Sequence, residues 1–221
     1  GFIGLGNMGS AMANHLCNAG YAVLAWARNP ATFEALADTP LKPQSSIEAL
    51  CANTRVIALN VTNTADVQSL LFRESGIAEC AQPGTIIVDF STIDAAAVVE
   101  IARKLKSLKI DYIDCPVSGG AAGARAATLS MMAGGDLSAF QQIEPMLKHL
   151  GKTIRHVGPS GAGQAIKAAK LFQQRLAEAR FVGARHGSTV EHICAEAVDL
   201  QTDTDSVQVS LSDGRRLCGT Y

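Results

Sequence analysis

The first nine residues constrain this chain more than any others. In Gly1-Phe2-Ile3-Gly4-Leu5-Gly6-Asn7-Met8-Gly9 a short apolar run, Phe2 to Leu5, leads directly into Gly4-x-Gly6-x-x-Gly9. A helix-like segment, Met8 to Ala19, follows at once. Strand, tight turn and helix in that order are the setting in which a glycine-rich loop holds a dinucleotide. Gly4 permits the turn. Gly6 lacks a Cβ and lets a pyrophosphate approach the backbone. Gly9 lets the helix pack closely on the strand. The helix N-terminus then offers N–H groups and partial positive charge to the phosphates. Leu5, Asn7 and Met8 complete that loop.

The next strand, Tyr21 to Trp26, decides cofactor type at its far end. An NAD site usually places Asp or Glu there for the ribose 2′-OH. Here Ala27-Arg28-Asn29 stands instead. Arg28 can pair with a 2′-phosphate as a bidentate donor, which favours NADP, with NAD as the alternative. The plainer reading of Arg28 is a solvated loop arginine.

Further strands and helices alternate along the chain. Pro30 to Ala37 reads as a short helix with proline at its start. Ser45 and Glu48 read as a capping box. Arg55 to Asn60 is a strand, with Asn60 and Val61 at its carboxyl end. Thr64 to Phe72 is a helix. Thr85 to Phe90 is a strand ending in Ser91-Thr92, and Asp94 to Leu108 is a long helix. Asp111 to Val117 is a strand followed by Ser118-Gly119-Gly120-Ala121-Ala122-Gly123. Those glycines make either an anion-binding loop or a flexible connector. Leu129 to Ala133 is a strand, Ser138 to Leu150 a helix and Ile154 to Val157 a short strand. Gly158 to Gly163 is a turn entering a helix that carries Lys167. Near-continuous apolar strands between helices predict an α/β fold, a Rossmann-type doubly wound, mostly parallel sheet covered on both faces. Ligands of such sheets bind at the carboxyl ends of the strands.

Composition excludes several classes. Of 221 residues, 48% are hydrophobic and 18% charged, with a formal net charge of −1. No basic stripe exists for nucleic acid, and no apolar run reaches the ~18 residues of a membrane span. Cys17, Cys51, Cys80, Cys115, Cys194 and Cys218 are scattered without a Cys-x-x-Cys pair. They read as reduced thiols of a cytoplasmic protein, with no metal site. The chain opens without Met inside its first strand, as an N-terminally trimmed chain would.

Four segments stand in order: Gly4-Leu5-Gly6-Asn7-Met8-Gly9-Ser10-Ala11-Met12-Ala13, Asp89-Phe90-Ser91-Thr92, Asp114-Cys115-Pro116-Val117-Ser118-Gly119-Gly120 and Gly161-Ala162-Gly163-Gln164-Ala165-Ile166-Lys167. Together, over residues 1–170, they resemble the β-hydroxyacid dehydrogenases, the family of 3-hydroxyisobutyrate dehydrogenase and tartronate semialdehyde reductase. The resemblance implies hydride transfer between NADP(H) and a small 3-hydroxy acid or semialdehyde, of the 3-hydroxyisobutyrate, tartronate semialdehyde or succinic semialdehyde type. It implies that Gly4 to Gly9 hold the pyrophosphate and that Arg28 and Asn29 stand where NADP-preferring members carry Arg-Thr. It places Asn60, Val61 and Thr92 along the cofactor, Thr92 at the nicotinamide ribose. It gives Ser118, Gly119 and Gly120 the substrate carboxylate, and Lys167 the catalytic proton.

The pattern breaks at Lys170, where the family has Asn. The family's helical second domain, and with it most of the dimer surface, is not expected in the remaining residues. Leu171 to Arg185 reads as helix. Glu196 to Leu200 and Val207 to Leu211 alternate apolar and polar, and Ser212-Asp213-Gly214 is a turn, so the tail reads as a β-meander. The tail weakly resembles a segment of aromatic-ring flavin monooxygenases, but a flavin-dependent hydroxylase is disfavoured because no second glycine fingerprint is present. The expected organisation is an NADP-binding domain over 1–158, a connecting helix with the lysine motif over 159–185 and a short β-rich tail over 186–221. The alternative to the enzyme is a non-catalytic nucleotide-binding protein or a chimeric fragment joined near Lys170.

Overall fold

A computed structural model describes residues 1–171, 197–202, 206–211 and 216–220. The chain divides into two compact units, Gly1–Lys167 and Ala168–Tyr221.

The first unit is a nine-stranded sheet. In chain order its elements are β1 (Phe2–Ile3), α1 (Gly9–Asn18), β2 (Leu24–Trp26), a 3₁₀ helix (Pro30–Leu36), β3 (Lys42–Pro43), α2 (Ile47–Ala52) and β4 (Val56–Leu59). There follow α3 (Thr64–Phe72), α4 (Ile77–Cys80), β5 (Ile86–Asp89), α5 (Ala95–Ser107) and β6 (Asp111–Asp114). The unit continues through β7 (Val117–Ser118), α6 (Gly120–Arg125), β8 (Leu129–Gly134), α7 (Leu137–Leu147) and β9 (Gly151–Gly158). A further helix, α8, covers residues 162–171. The strand order is β3-β2-β1-β4-β5-β6-β8-β7, with β9 paired to β8. The strands from β3 through β6 pair in parallel, and β8 is antiparallel to both β6 and β7.

The two faces of the sheet are read directly from residue alternation, because successive strand side chains point to opposite sides. Phe2, Ala58, Ile86 and Val88 join one core layer, with Met12 and Leu16 of α1 and Phe140 and Ile143 of α7. Their strand neighbours Ile3, Ile57, Leu59 and Ile87 join the other, with Leu50 of α2, Val67 and Leu71 of α3, and Val98, Ile101 and Leu105 of α5. Each of the large side chains contributes about 1.5–3 kcal/mol by leaving water. The doubly wound, mostly parallel architecture is therefore present as expected.

Local departures have local causes. β2 is three residues long, so only the part of Tyr21–Trp26 that meets β1 and β3 is paired. Pro30–Leu36 is 3₁₀ rather than α-helix, capped by Asn29, whose side chain accepts from the Ala31 N–H. The cap of α2 is Ser46, not Ser45: its hydroxyl accepts from the Ala49 N–H at 3.1 Å. Gly120 opens a helix immediately, so the Ser118–Gly123 stretch is structured and not a connector. β9 runs for eight residues because β8 pairs with it along its length.

The second unit contains an antiparallel sheet of β10 (Ala197–Thr202), β11 (Ser206–Leu211) and β12 (Arg216–Thr220), in that order. The helix expected over Leu171–Arg185 lies, past residue 171, outside the described residues. No described helix is long and apolar enough to cross a membrane. Among the described residues no group of three or more metal-ligating side chains occurs, and Cys17, Cys51, Cys80 and Cys115 are free thiols.

Candidate dinucleotide-binding site

β1 lies between β2 and β4, and the chain order reverses across it. A crevice opens outside the carboxyl ends of strands at such a switch point. The turn after β1 fills the floor of that crevice, and its geometry depends on glycine. Gly4 has φ +99°, and a Cβ there would stand 2.2 Å from the Asn60 carbonyl oxygen. A Cβ on Gly9 would stand 1.8 Å from the Gly4 carbonyl oxygen. At Gly6 a Cβ would meet nothing within 4 Å. Gly4 and Gly9 are thus demanded by the protein's own packing, whereas Gly6 faces open space that a ligand can use.

α1 starts above this turn. Its N-cap residue, Met8, makes no side-chain capping hydrogen bond, and its first turn holds no acidic residue. By contrast α3, α5 and α7 are each capped by an Asn or Asp side chain. The positive end of α1 is left to an anion from outside. The residues present therefore fit a pyrophosphate group.

A cavity of about 300 Å³ adjoins the turn, lined by Gly4, Leu5 and Gly6 and by Arg28, Asn29 and Arg73 among others. That volume is at the lower end for small-molecule sites. Arg28 is 86% exposed and lies 3.8 Å from Asp66. Asp66 reaches it because β2 and β4 flank β1, which brings the β2 loop opposite the start of α3. Arg73, at the end of α3, holds its guanidinium 5.3 Å from the centre of the Trp26 ring. Met8, Gly9, Asn7, Asn60, Val61, Thr92, Ser118, Gly119, Gly120 and Lys167 lie outside this cavity.

Asn60 and Val61 follow β4, and exposed Thr92 follows β5, on the same edge of the sheet. Ser91 ties the two ends together: its hydroxyl accepts from the Val61 N–H at 2.9 Å. The Ser91 N–H donates to Asp89, and the Tyr112 hydroxyl donates to the other oxygen of the same carboxylate. Asp89 is fully buried.

The helix of Lys167 is fastened to this edge by hydrogen bonds at its start. The Gly161 and Gln164 N–H groups donate to the two oxygens of the buried Asp114 carboxylate at 2.8 and 3.0 Å. The Gln164 side chain donates to the Ser91 carbonyl and accepts from the Ile93 N–H. Asp114 thus caps α8, and Gln164 joins α8 to the carboxyl end of β5. Lys167 follows one turn later. Ser118 is carried past the carboxyl edge by the pairing of β7 with β8, which places Ser118 opposite Ser130 while Asp114 stands opposite Gly134. Gly119 and Gly120 have positive φ as the chain turns into α6. Ser91, Asp114, Gln164, Asp66 and Arg73 were not foreseen as site residues. Asp114 and Gln164 sit inside recognisable motifs; for Arg73 the sequence holds no signal.

Burial pushes the Asp89 and Asp114 carboxyls up to about 6 each. A carboxyl whose folded-state value lies above its unfolded value keeps its proton longer when folded, so it favours the folded state at low pH and loses that contribution as pH rises to about 6. The melting temperature of the Asp89→Asn variant is therefore expected to fall less than that of the unaltered chain between pH 4 and pH 6.5. The difference is on the order of 2 kcal/mol at one residue. Parallel slopes for the two proteins would refute the assignment.

Residues 1–158 match the family described as the NAD binding domain of 6-phosphogluconate dehydrogenase. The chain is 39% identical over 204 residues to an uncharacterized oxidoreductase of Synechocystis, covering 91% of this chain and 69% of that protein. It is 38% identical over 169 residues to the 2-hydroxy-3-oxopropionate reductase of Escherichia coli, covering 76% of this chain and 58% of that protein. The solved structure of Mycobacterium tuberculosis 3-hydroxyisobutyrate dehydrogenase with L-serine superposes with a TM-score of 0.75 at 31% identity, covering 86% of this chain and 66% of that one. This chain therefore spans 58–69% of the length of these two curated relatives. The 91% coverage of the Synechocystis match also carries likeness past residue 170, into the segment whose sequence reads as unrelated. Fold, glycine turn and similarity agree: the chain belongs to the NAD(P)-dependent β-hydroxyacid dehydrogenase family, with residues 1–158 as its 6-phosphogluconate dehydrogenase-type NAD-binding domain.

Proposed function

We propose that the protein carrying this chain transfers a hydride between NADP(H) and a small 3-hydroxy acid or its semialdehyde. The observation that carries this reading is the glycine turn at the switch point, open at Gly6 and facing an uncapped α1. When bound, the nicotinamide cofactor supplies or accepts the hydride. The Gly4 to Gly9 loop, with Leu5, Asn7 and Met8, holds its pyrophosphate. Arg28 and Asn29 hold the 2′-phosphate, and Asn60, Val61 and Thr92 line the path toward the nicotinamide. Ser118 and the backbone of Gly119 and Gly120 hold the substrate carboxylate. Lys167 gives a proton to the carbonyl oxygen in reduction and takes it back in oxidation.

The reading is tested by following NADPH oxidation with tartronate semialdehyde and succinic semialdehyde, and NADP reduction with 3-hydroxyisobutyrate. Turnover of at least one pair is expected, and turnover of none refutes the enzyme. Arg28→Ala is expected to weaken NADPH binding about tenfold, a loss of ~1.4 kcal/mol, with NADH binding unchanged. Equal losses for both cofactors would remove Arg28 from the 2′-phosphate. A second reading, nucleotide binding without catalysis, is favoured by one residue: Lys170 stands where the family pattern has Asn. It predicts cofactor binding with no turnover.

A further inference from the structure

The reading of Arg28 leaves a charge problem. A ribose 2′-phosphate is a monoester carrying close to two negative charges at neutral pH. Arg28 stands mostly in solvent and already lies 3.8 Å from Asp66, whose carboxylate offsets its charge. A single exposed, partly neutralised arginine is a weak selector for a dianion.

Arg73 supplies the missing charge. It follows α3 as the C-cap residue, and its N–H is tied to the Ser69 carbonyl at 3.1 Å. Its side chain lines the same cavity as Gly4, Gly6, Arg28 and Asp66. Its guanidinium lies 5.3 Å from the Trp26 ring centre, and Trp26 ends β2 two residues before Arg28. Stacking on an aromatic face restrains a planar guanidinium while leaving its N–H fork available. The charged groups around it are Arg28, Asp66 and, from α2, Glu48, whose carboxyl is influenced by Arg73. Ser69 of α3 and Thr32 of the 3₁₀ helix also line the cavity.

We propose that Arg73, held against Trp26 across the cavity from Arg28, is a second specificity-determining residue for the 2′-phosphate of NADP(H). The two arginines close on the phosphate from the α3 side and the β2 side, and Asp66 is the anion from which Arg28 turns. This inference rests on the NADP reading given above and extends it to a residue outside the β2 loop.

The test uses 2′,5′-ADP and 5′-AMP, which differ only by the 2′-phosphate and need no turnover. Dissociation constants are measured by calorimetry on the full chain, Arg73→Gln and Arg28→Ala, with a thermal melt of each. The unaltered chain is expected to prefer 2′,5′-ADP. Arg73→Gln is expected to weaken 2′,5′-ADP about tenfold, to leave 5′-AMP within twofold, and to melt with the unaltered protein. Arg73→Lys, which keeps the charge without the fork, is expected to fall between. Unchanged 2′,5′-ADP binding in Arg73→Gln, while Arg28→Ala loses the preference, overturns the role of Arg73 and leaves the NADP reading standing. Equal weakening of both ligands overturns it too, since Arg73 would then serve the adenine. No preference in the unaltered chain overturns the NADP reading and this inference with it.

Discussion

Alanine at Gly4 is expected to unfold or severely destabilise the first unit, by about 3 kcal/mol or more. Two causes act at once. The backbone at Gly4 has φ +99°, which an L-residue adopts only under strain, and the new methyl would stand 2.2 Å from the Asn60 carbonyl oxygen. That oxygen is main chain at the end of β4, and the Asn60 N–H is bonded to the Ile3 carbonyl at 3.0 Å. It cannot swing aside as a long side chain would. Gly6→Ala is the matched control, because a methyl there meets no protein atom within 4 Å. It should shift stability by no more than about 0.5 kcal/mol yet weaken dinucleotide binding at least about tenfold, by filling the space the pyrophosphate needs. Urea melts and a cofactor titration on both variants decide the matter. A Gly6→Ala protein as unstable as Gly4→Ala, or one that binds cofactor normally, would show that the open side of the turn is not the phosphate site.

Replacing Lys167 by alanine is expected to reduce turnover about 10²- to 10⁴-fold, the range for loss of a positioned acid–base group, with cofactor affinity unchanged. The start of its helix is anchored at the carboxyl edge of the sheet. Asp114 caps the start of α8 through the Gly161 and Gln164 N–H groups, and Gln164 binds the chain between Ser91 and Ile93. The lysine therefore rises from the same carboxyl edge that presents Thr92. Single-turnover measurements on the semialdehyde that supports catalysis separate the chemical step from binding. A variant that keeps full turnover would assign the proton to another group, and one that loses cofactor binding in equal measure would make Lys167 a binding residue.

The sequence was most informative where a feature is short-range. The glycine turn, the ends of α3 at Thr64 and Phe72, and the paired layers around Ile86, Ile87 and Val88 follow from spacing and alternation within a few residues. The shift from Ser45 to Ser46 at the cap of α2 is a one-residue choice between two adjacent hydroxyls, and Ser46 has the extended backbone and the bond from the Ala49 N–H. What escaped is long-range. Tyr112 reaches Asp89 across 23 positions, Gly161 reaches Asp114 across 47 and Gln164 reaches Ser91 across 73. No periodicity encodes such pairs; the strand order does, by setting β5 beside β6, so that the start of α8 meets the carboxyl ends of both. Arg73 is the extreme case, an exposed arginine after a helix whose significance comes only from Trp26 and Asp66 being brought to the same cavity.

The most direct test of the account is a fluorescence titration of the purified chain with NADPH and, in parallel, NADH. Nicotinamide emission reports binding without any substrate, so the result does not depend on turnover. Saturable binding of NADPH, at least about tenfold tighter than NADH, is the predicted result. Binding of neither cofactor by the folded chain would contradict the assignment of the Gly4 to Gly9 turn as a dinucleotide site.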